Sequence, residues 1–182
     1  STRTVSINNN RSLYVNATSG TATWNGNLNV GNSAAALRLT CTSGSGAVLV
    51  LGSSAIYNGA SSILYSDNGD IAVDGTINSV SQIQIGRTST STKTSSWVAR
   101  NSASITTAGG INLINTAGQS SSSLTVQDSA NVSALALNLY NVATGTGTGT
   151  ANLDGGTLTV GSITKSGGNG VFNFNGGTLK AS

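Results

Sequence analysis

Apolar and polar residues alternate in short runs along the whole chain. Val5-Ser6-Ile7, Leu13-Tyr14-Val15, Leu28-Asn29-Val30 and Leu37-Arg38-Leu39 open the pattern. Ile71-Ala72-Val73, Ile83-Gln84-Ile85, Ile111-Asn112-Leu113, Leu124-Thr125-Val126 and Leu135-Ala136-Leu137-Asn138-Leu139 continue it, and Leu158-Thr159-Val160 and Phe172-Asn173-Phe174 close it. A period of two places alternate side chains on opposite faces of a pleated strand, so each run predicts a half-buried strand. Nowhere do apolar residues recur at the helical spacing over two full turns. The expected fold class is all-β.

The punctuation agrees. Asn25-Gly26, Asn58-Gly59, Asn68-Gly69, Asp74-Gly75, Asp154-Gly155, Asn169-Gly170 and Asn175-Gly176 are corner dipeptides whose glycines are expected to supply positive φ. Proline, which removes a ladder donor, is absent. Thr144 to Thr150 alternates Thr and Gly and reads either as a flexible loop or as a flat, tightly packed face. The stretches from Gly31 to Leu37 and from Thr88 to Ser96 read as loops that vary in length between coils.

An internal repeat sets the architecture. Ala151-Asn152-Leu153-Asp154-Gly155-Gly156-Thr157-Leu158 aligns with Phe172-Asn173-Phe174-Asn175-Gly176-Gly177-Thr178-Leu179. A period of that size with two or three short strands in it predicts a β-solenoid, in which stacked coils bury together what no coil buries alone. Leu153 is then expected beneath Phe174 and Leu158 beneath Leu179, with Asn and Asp forming hydrogen-bonded ladders at the corners. Residues 1–182 read as one domain of roughly eight or nine coils of about 21 residues, with inter-strand steps of ~4.8 Å.

Composition narrows the chemistry. Ser, Thr, Asn and Gly make up 98 of the 182 residues, charged residues only 7%, and all five acidic residues are Asp. With no histidine, a His-based catalyst, His-ligated metal or His pH switch is excluded. The net charge of +3 is spread over Arg3, Arg11, Arg38, Arg87, Lys93, Arg100, Lys165 and Lys180. Nucleic-acid binding needs converging cations, so none is expected. Cys41 stands alone and reads as a small buried residue, an intermolecular disulfide being the alternative. The longest apolar run, Ala47 to Leu51, falls far short of the ~20 residues of a membrane-spanning helix, so no membrane insertion is expected. Ser1-Thr2-Arg3-Thr4 reads as the start of a mature or excised chain rather than a signal peptide.

Asn173-Phe174-Asn175-Gly176-Gly177-Thr178-Leu179-Lys180-Ala181 and Leu153-Asp154-Gly155-Gly156-Thr157-Leu158-Thr159-Val160 resemble the passenger-associated β-strand repeat of bacterial autotransporters. Trp24-Asn25-Gly26-Asn27-Leu28-Asn29-Val30-Gly31-Asn32 is similar to the opening of such passengers. The resemblance covers the last 60 or so residues well and the rest by composition. It implies a right-handed parallel β-helix displayed outside a bacterial cell as a stalk or adhesive surface. No translocator barrel follows within these residues, a departure from the family pattern.

Four other chemistries fit less well. Asp67-Asn68-Gly69-Asp70 with Asp74 could form a calcium loop, but it lacks regular ligand spacing, and Asx turns account for the same residues. A polysaccharide lyase or hydrolase would need paired carboxylates, with Arg87 or Arg100 assisting, and the five Asp are scattered. Serine nucleophiles have only Lys93 or Lys165 as a base. Ice binding would need flat Thr-x-Thr rows at coil spacing; Thr88-Ser89-Thr90 and Thr144-Gly145-Thr146 fit locally but do not recur with the period of the repeat. The expected function is therefore a non-enzymatic extracellular structural subunit with no cofactor, joined head to tail with itself through β-stacking or strand exchange. Val5, Ile7, Leu13 and Val15 at one end, with Phe172, Phe174, Leu179 and Ala181 at the other, form the expected assembly interface. An adhesin passenger that contacts cells or glycans is the alternative, a polysaccharide-active β-helix enzyme a lesser one.

Overall fold

In a computed structural model, which describes residues 4–7, 12–30, 36–41, 46–59, 62–87 and 94–182, the chain winds as a parallel β-solenoid without a helix among the described residues. The first turn carries β1 (Thr4–Ile7), β2 (Ser12–Ala17) and β3 (Thr21–Trp24), the second β4 (Asn27–Val30), β5 (Ala36–Cys41) and β6 (Val48–Leu51). Next come β7 (Ile56–Asn58), β8 (Ile63–Ser66) and β9 (Gly69–Val73), then β10 (Thr76–Val80), β11 (Gln82–Ile85) and β12 (Thr94–Ala99). β13 (Ser104–Thr107), β14 (Gly110–Leu113) and β15 (Ser121–Val126) follow. Towards the C-terminus, β16 (Asn131–Tyr140) and β18 (Thr157–Lys165) each cover two faces, alternating with β17 (Thr148–Leu153) and β19 (Asn169–Phe174); β20 (Thr178–Ala181) is last.

Three faces result. The first stacks β1, β4, β7, β10, β13, the start of β16, the start of β18, and β20. The second stacks β2, β5, β8, β11, β14 and the later halves of β16 and β18. The third holds β3, β6, β9, β12, β15, β17 and β19. β16 turns the corner between two faces at Leu135, whose side chain points to solvent at 64% exposure.

The period-two pattern now has its cause. Inward positions lie directly over one another, as in the third-face column Leu49, Ile71, Trp97, Leu124, Ala151 and Phe172. All but Phe172 are buried. Burying each large aliphatic side chain contributes about 1.5–3 kcal/mol, and a turn obtains it only from its neighbours. Leu153 pairs in register with Phe174 and Leu158 with Leu179, as the repeat requires.

Two expectations need correction. Thr4, Asn27, Ile56, Thr76, Ser104, Asn131, Thr157 and Thr178 lie in line on the first face. The steps between successive strands there run from 20 residues (Asn58 to Asn78) to 29 (Asn29 to Asn58), so the chain makes fewer turns than eight or nine. The short step of the repeat belongs to the last turn, where it was visible; most upstream turns spend extra residues at their corners. The corner glycines also differ. Of the seven dipeptides only Asn68-Gly69 has its glycine at positive φ (91°); after Asp154-Gly155 and Asn175-Gly176 that role falls to the next residue, Gly156 and Gly177. Gly75 is glycine for another reason: a Cβ there would meet the carbonyl oxygens of Ala55 and Gly52 at 2.5 Å, because turns stack too closely to admit one. The same reason settles the Thr/Gly run. A Cβ on Gly149 would overlap the Leu139 carbonyl oxygen, so from Thr148 the run is a tightly packed strand.

Candidate functional site

The stack ends in open strands. Among the described residues β1 pairs only with β4, β2 only with β5 and β3 only with β6, while β19 pairs only with β17 and β20 only with β18. Each terminal strand therefore presents a row of unpartnered N–H and C=O groups, the template for another strand. The inward columns stop there too. At the C-terminal end Phe174 is 58% and Leu179 43% exposed, although their in-register neighbours Leu153 and Leu158 are buried. Ala181, in line with Val160, is exposed, and Phe172 is half-buried against the core. At the other end Val5 is 37% exposed, and Leu13 and Val15 are half-buried against the core. Ile7 pairs with Val30 in backbone register; its side chain lies outside the described residues.

The predicted interface residues thus fall into two sets, one at each end of the stack. Sequence reasoning missed Ala22 and Trp24 at the N-terminal end and Ile163 at the C-terminal end, which occupy the same truncated columns. Strand β3 (sequence TATW) escapes notice because it starts with polar residues, although Trp24 faces inward in line with Leu51. At the C-terminal end Val160, Ile163 and Leu179 border a groove of about 220 Å³ lined by residues of β18 and β20.

Polar ladders run between turns and share one direction. Asn58 Nδ2 donates to Asn29 Oδ1 (2.9 Å), Asn112 Nδ2 to Gln82 Oε1 (2.9 Å), Asn173 Nδ2 to Asn152 Oδ1 (2.8 Å) and Asn175 Nδ2 to Asp154 Oδ1 (2.7 Å). In each the later turn donates and the earlier accepts. Asn138 extends the second ladder by donating to Asn112, and Thr164 donates to Asn138.

The acidic cluster is not assembled as a metal site. Asp67 is buried against Arg38, Asp70 accepts from Ser96 Oγ at 2.8 Å, and Asp74 accepts from Arg100 Nε at 2.7 Å and Asn101 Nδ2 at 3.0 Å. Among the described residues no three His, Cys, Asp or Glu side chains gather where they could hold an ion. Arg87 lies over the Tyr65 ring at 4.5 Å and Arg38 over Tyr14 at 4.9 Å, so both guanidinium groups pack on the second face. Lys165 Nζ donates to Gly168 O at 3.2 Å, and Lys93 lies outside the described residues. Cys41 is buried, its thiol donating to Asp70 O at 3.3 Å, and burial pushes its pKa up. No helix among the described residues is long and apolar enough to cross a membrane. No family model, curated protein or solved structure matches the chain.

Proposed function

We propose that this chain is a non-enzymatic structural subunit displayed on a bacterial surface, a right-handed autotransporter-like solenoid that extends head to tail by strand exchange. One observation carries the reading. The first face holds one strand more than each of the other two, so β1 and β20 compete for one layer when copies stack. A second copy can sit flush on all three faces only if β20 of the first pairs with β4 of the second, in the place β1 otherwise occupies. In that register Leu179 takes the slot of Val5 beside Leu28, and Lys180 the outward slot of Ser6 beside Asn29. Phe172 then meets Ala22, a large residue over a small one, and Phe174 meets Trp24. The common direction of the amide ladders gives a joined rod the same polarity throughout. Seven strands per copy in every face predict an axial repeat of about 34 Å at ~4.8 Å per layer.

The test is electron microscopy of the full chain beside two truncations. Removing residues 1–11 frees the β4 edge and is expected to speed filament growth; removing residues 178–182 takes away the donor and is expected to stop it. Filaments that grow equally without residues 178–182 overturn strand exchange. A full chain and a β1-deleted chain that both stay as short single rods at high concentration overturn self-assembly altogether.

A second reading, a passenger adhesin, draws on Tyr14, 58% exposed on the second face with Arg38 over its ring. It predicts binding to cells or glycans that Tyr14→Ala weakens, with no filaments.

A further inference from the structure

We propose that Asn25 is a self-modification site: in the free chain its side-chain amide is lost to attack by the Gly26 backbone nitrogen, sooner than at the four other Asn-Gly pairs. The step needs only base and water. Gly26 gives up its N–H proton and its nitrogen attacks Asn25 Cγ, closing a five-membered succinimide ring, while Nδ2 takes up a proton and leaves as ammonia. Water then opens the ring at either carbonyl, which puts an aspartyl or isoaspartyl residue, with one new negative charge, at position 25. Glycine leaves the attacking nitrogen without a neighbouring Cβ. The two groups already belong to one chain, so the rate is set by how freely they meet.

The corner between β3 and β4 differs from its successors. Two residues beyond Trp24 and its column partners, later turns hold the same backbone group. Gly75 N–H donates to Leu51 O (3.1 Å), Gly155 N–H to Val126 O (3.2 Å) and Gly176 N–H to Leu153 O (3.0 Å), each a carbonyl of the turn before. β3 is the first strand of the third face, so Gly26 N–H has no such carbonyl among the described residues. Trp24 Nε1 holds the Gly26 carbonyl at 2.7 Å and leaves the N–H free. Asn25 is exposed and lies outside any strand. Its Oδ1 leans against Gly52 of the next turn, but no hydrogen bond among the described residues ties its side-chain amide.

The four other pairs are tied. Asn175-Gly176 is the same dipeptide at the same corner, yet Asn175 Nδ2 donates to Asp154 Oδ1 at 2.7 Å and Gly176 N–H is held by Leu153. Asn58 Nδ2 donates to Asn29 Oδ1 at 2.9 Å, and Gly59 N–H to Asn78 O at 2.9 Å. Asn68 Nδ2 donates to Cys41 O. Asn169-Gly170 lies inside β19, whose ladder with β17 keeps the Asn169 backbone extended and the next nitrogen turned away from its side chain.

The consequence rests on the assembly reading; the modification does not. In the head-to-tail register Phe174 of the preceding copy meets Trp24, so its carbonyl takes the Gly26 N–H as Leu153 O takes that of Gly176. Joined ends are then protected and free ends age, because an isoaspartyl link lengthens the backbone by one carbon at the corner that seats the next copy.

The experiment keeps the full chain dilute, as single rods, in warm and mildly alkaline buffer, and follows deamidation at each Asn-Gly pair by peptide mass mapping. Conversion at Asn25 is expected about tenfold faster than at Asn175, since each hydrogen bond that must open slows ring closure roughly two- to tenfold. In urea, where both pairs are untied, the two rates should converge. Asp154→Ala removes one of the bonds at Asn175 and is expected to speed conversion there roughly two- to tenfold, with circular dichroism reporting the β fold. Folded chain in which Asn25 converts no faster than Asn175 overturns the proposal, as does an Asn175 rate unchanged by Asp154→Ala. Single rods at every concentration, with Asn25 still converting faster than Asn175, overturn the assembly reading alone.

Discussion

Tyr57 occupies an inward slot of the first face at 3% exposure, its phenol oxygen 2.7 Å from Ser62 Oγ. Burial pushes its pKa up to about 12 from an ordinary 10. An acid whose folded pKa is raised keeps its proton longer in the native state, so the fold binds more protons than the unfolded chain between pH 10 and 12. Stability is therefore whole below pH 10 and is lost as pH rises through that window, by about 2–3 kcal/mol. Alkaline denaturation midpoints should show it, with Tyr57→Phe flattening the loss; an unchanged alkaline limb in that variant would show that Tyr57 does not set it. The Gly149 position is as demanding. Gly149→Ala is expected to cost more than the roughly 1–3 kcal/mol of ordinary overpacking, because the obstacle is the Leu139 carbonyl and not a side chain that can turn away. Chemical denaturation beside Gly110→Ala, whose new Cβ first meets the Asn112 side-chain oxygen at 3.1 Å, separates the two kinds of obstacle, and equal losses would mean that the backbone at Gly149 yields.

At the scale of single elements, regular spacing decided what could be read. All eleven runs with alternation lie in strands, and Leu135 to Leu139 lies inside the longer β16. Strands β10 and β13 were missed because most of their positions are Thr, Ser or Asn; Ile77 with Val80 across a register shift, or Ile105 alone, is too weak a signal to alternate. The repeat in the last turn was legible because both its strands and its corner recur at one short step. The assembly residues were legible as terminal strands, whereas Trp24 and Ile163 become end residues only once the columns are stacked. Ladders offer a test at this scale. Asn112→Ala removes the amide that donates to Gln82 and accepts from Asn138, and a cost of about 1–3 kcal/mol is expected for the partners it strands. Asn29→Ala, at the end of the Asn29, Asn58 and Asn78 ladder, should cost less. Equal losses in thermal melts would mean that the ladders act residue by residue and not as chains.

In a rod whose turns touch only their neighbours, one continuous core is built from successive layers, and its stability is close to a sum of nearest-neighbour terms. Calcium is expected to add nothing to that sum, since Asp67, Asp70 and Asp74 are already engaged by Arg38, Ser96 and Arg100. Melting temperatures in excess calcium and in chelator should coincide, and a rise with calcium would show that the acidic corner can rearrange to bind. The same one-dimensional logic localises damage. Trp97 lies midway along the third face, 1% exposed, with Nε1 donating to Ser66 Oγ at 2.8 Å and Ile71 and Leu124 as column neighbours. Trp97→Ala should cost about 3–5 kcal/mol, most of it at the two interfaces flanking β12. Hydrogen exchange would then quicken first in β9, β12 and β15, while β17 and β18 keep their protection, dividing one rod into two semi-independent halves. Exchange that quickens equally in every turn would instead mean that the turns unfold as one cooperative unit, and any fibre built from them would inherit its strength from whole subunits rather than from each successive layer.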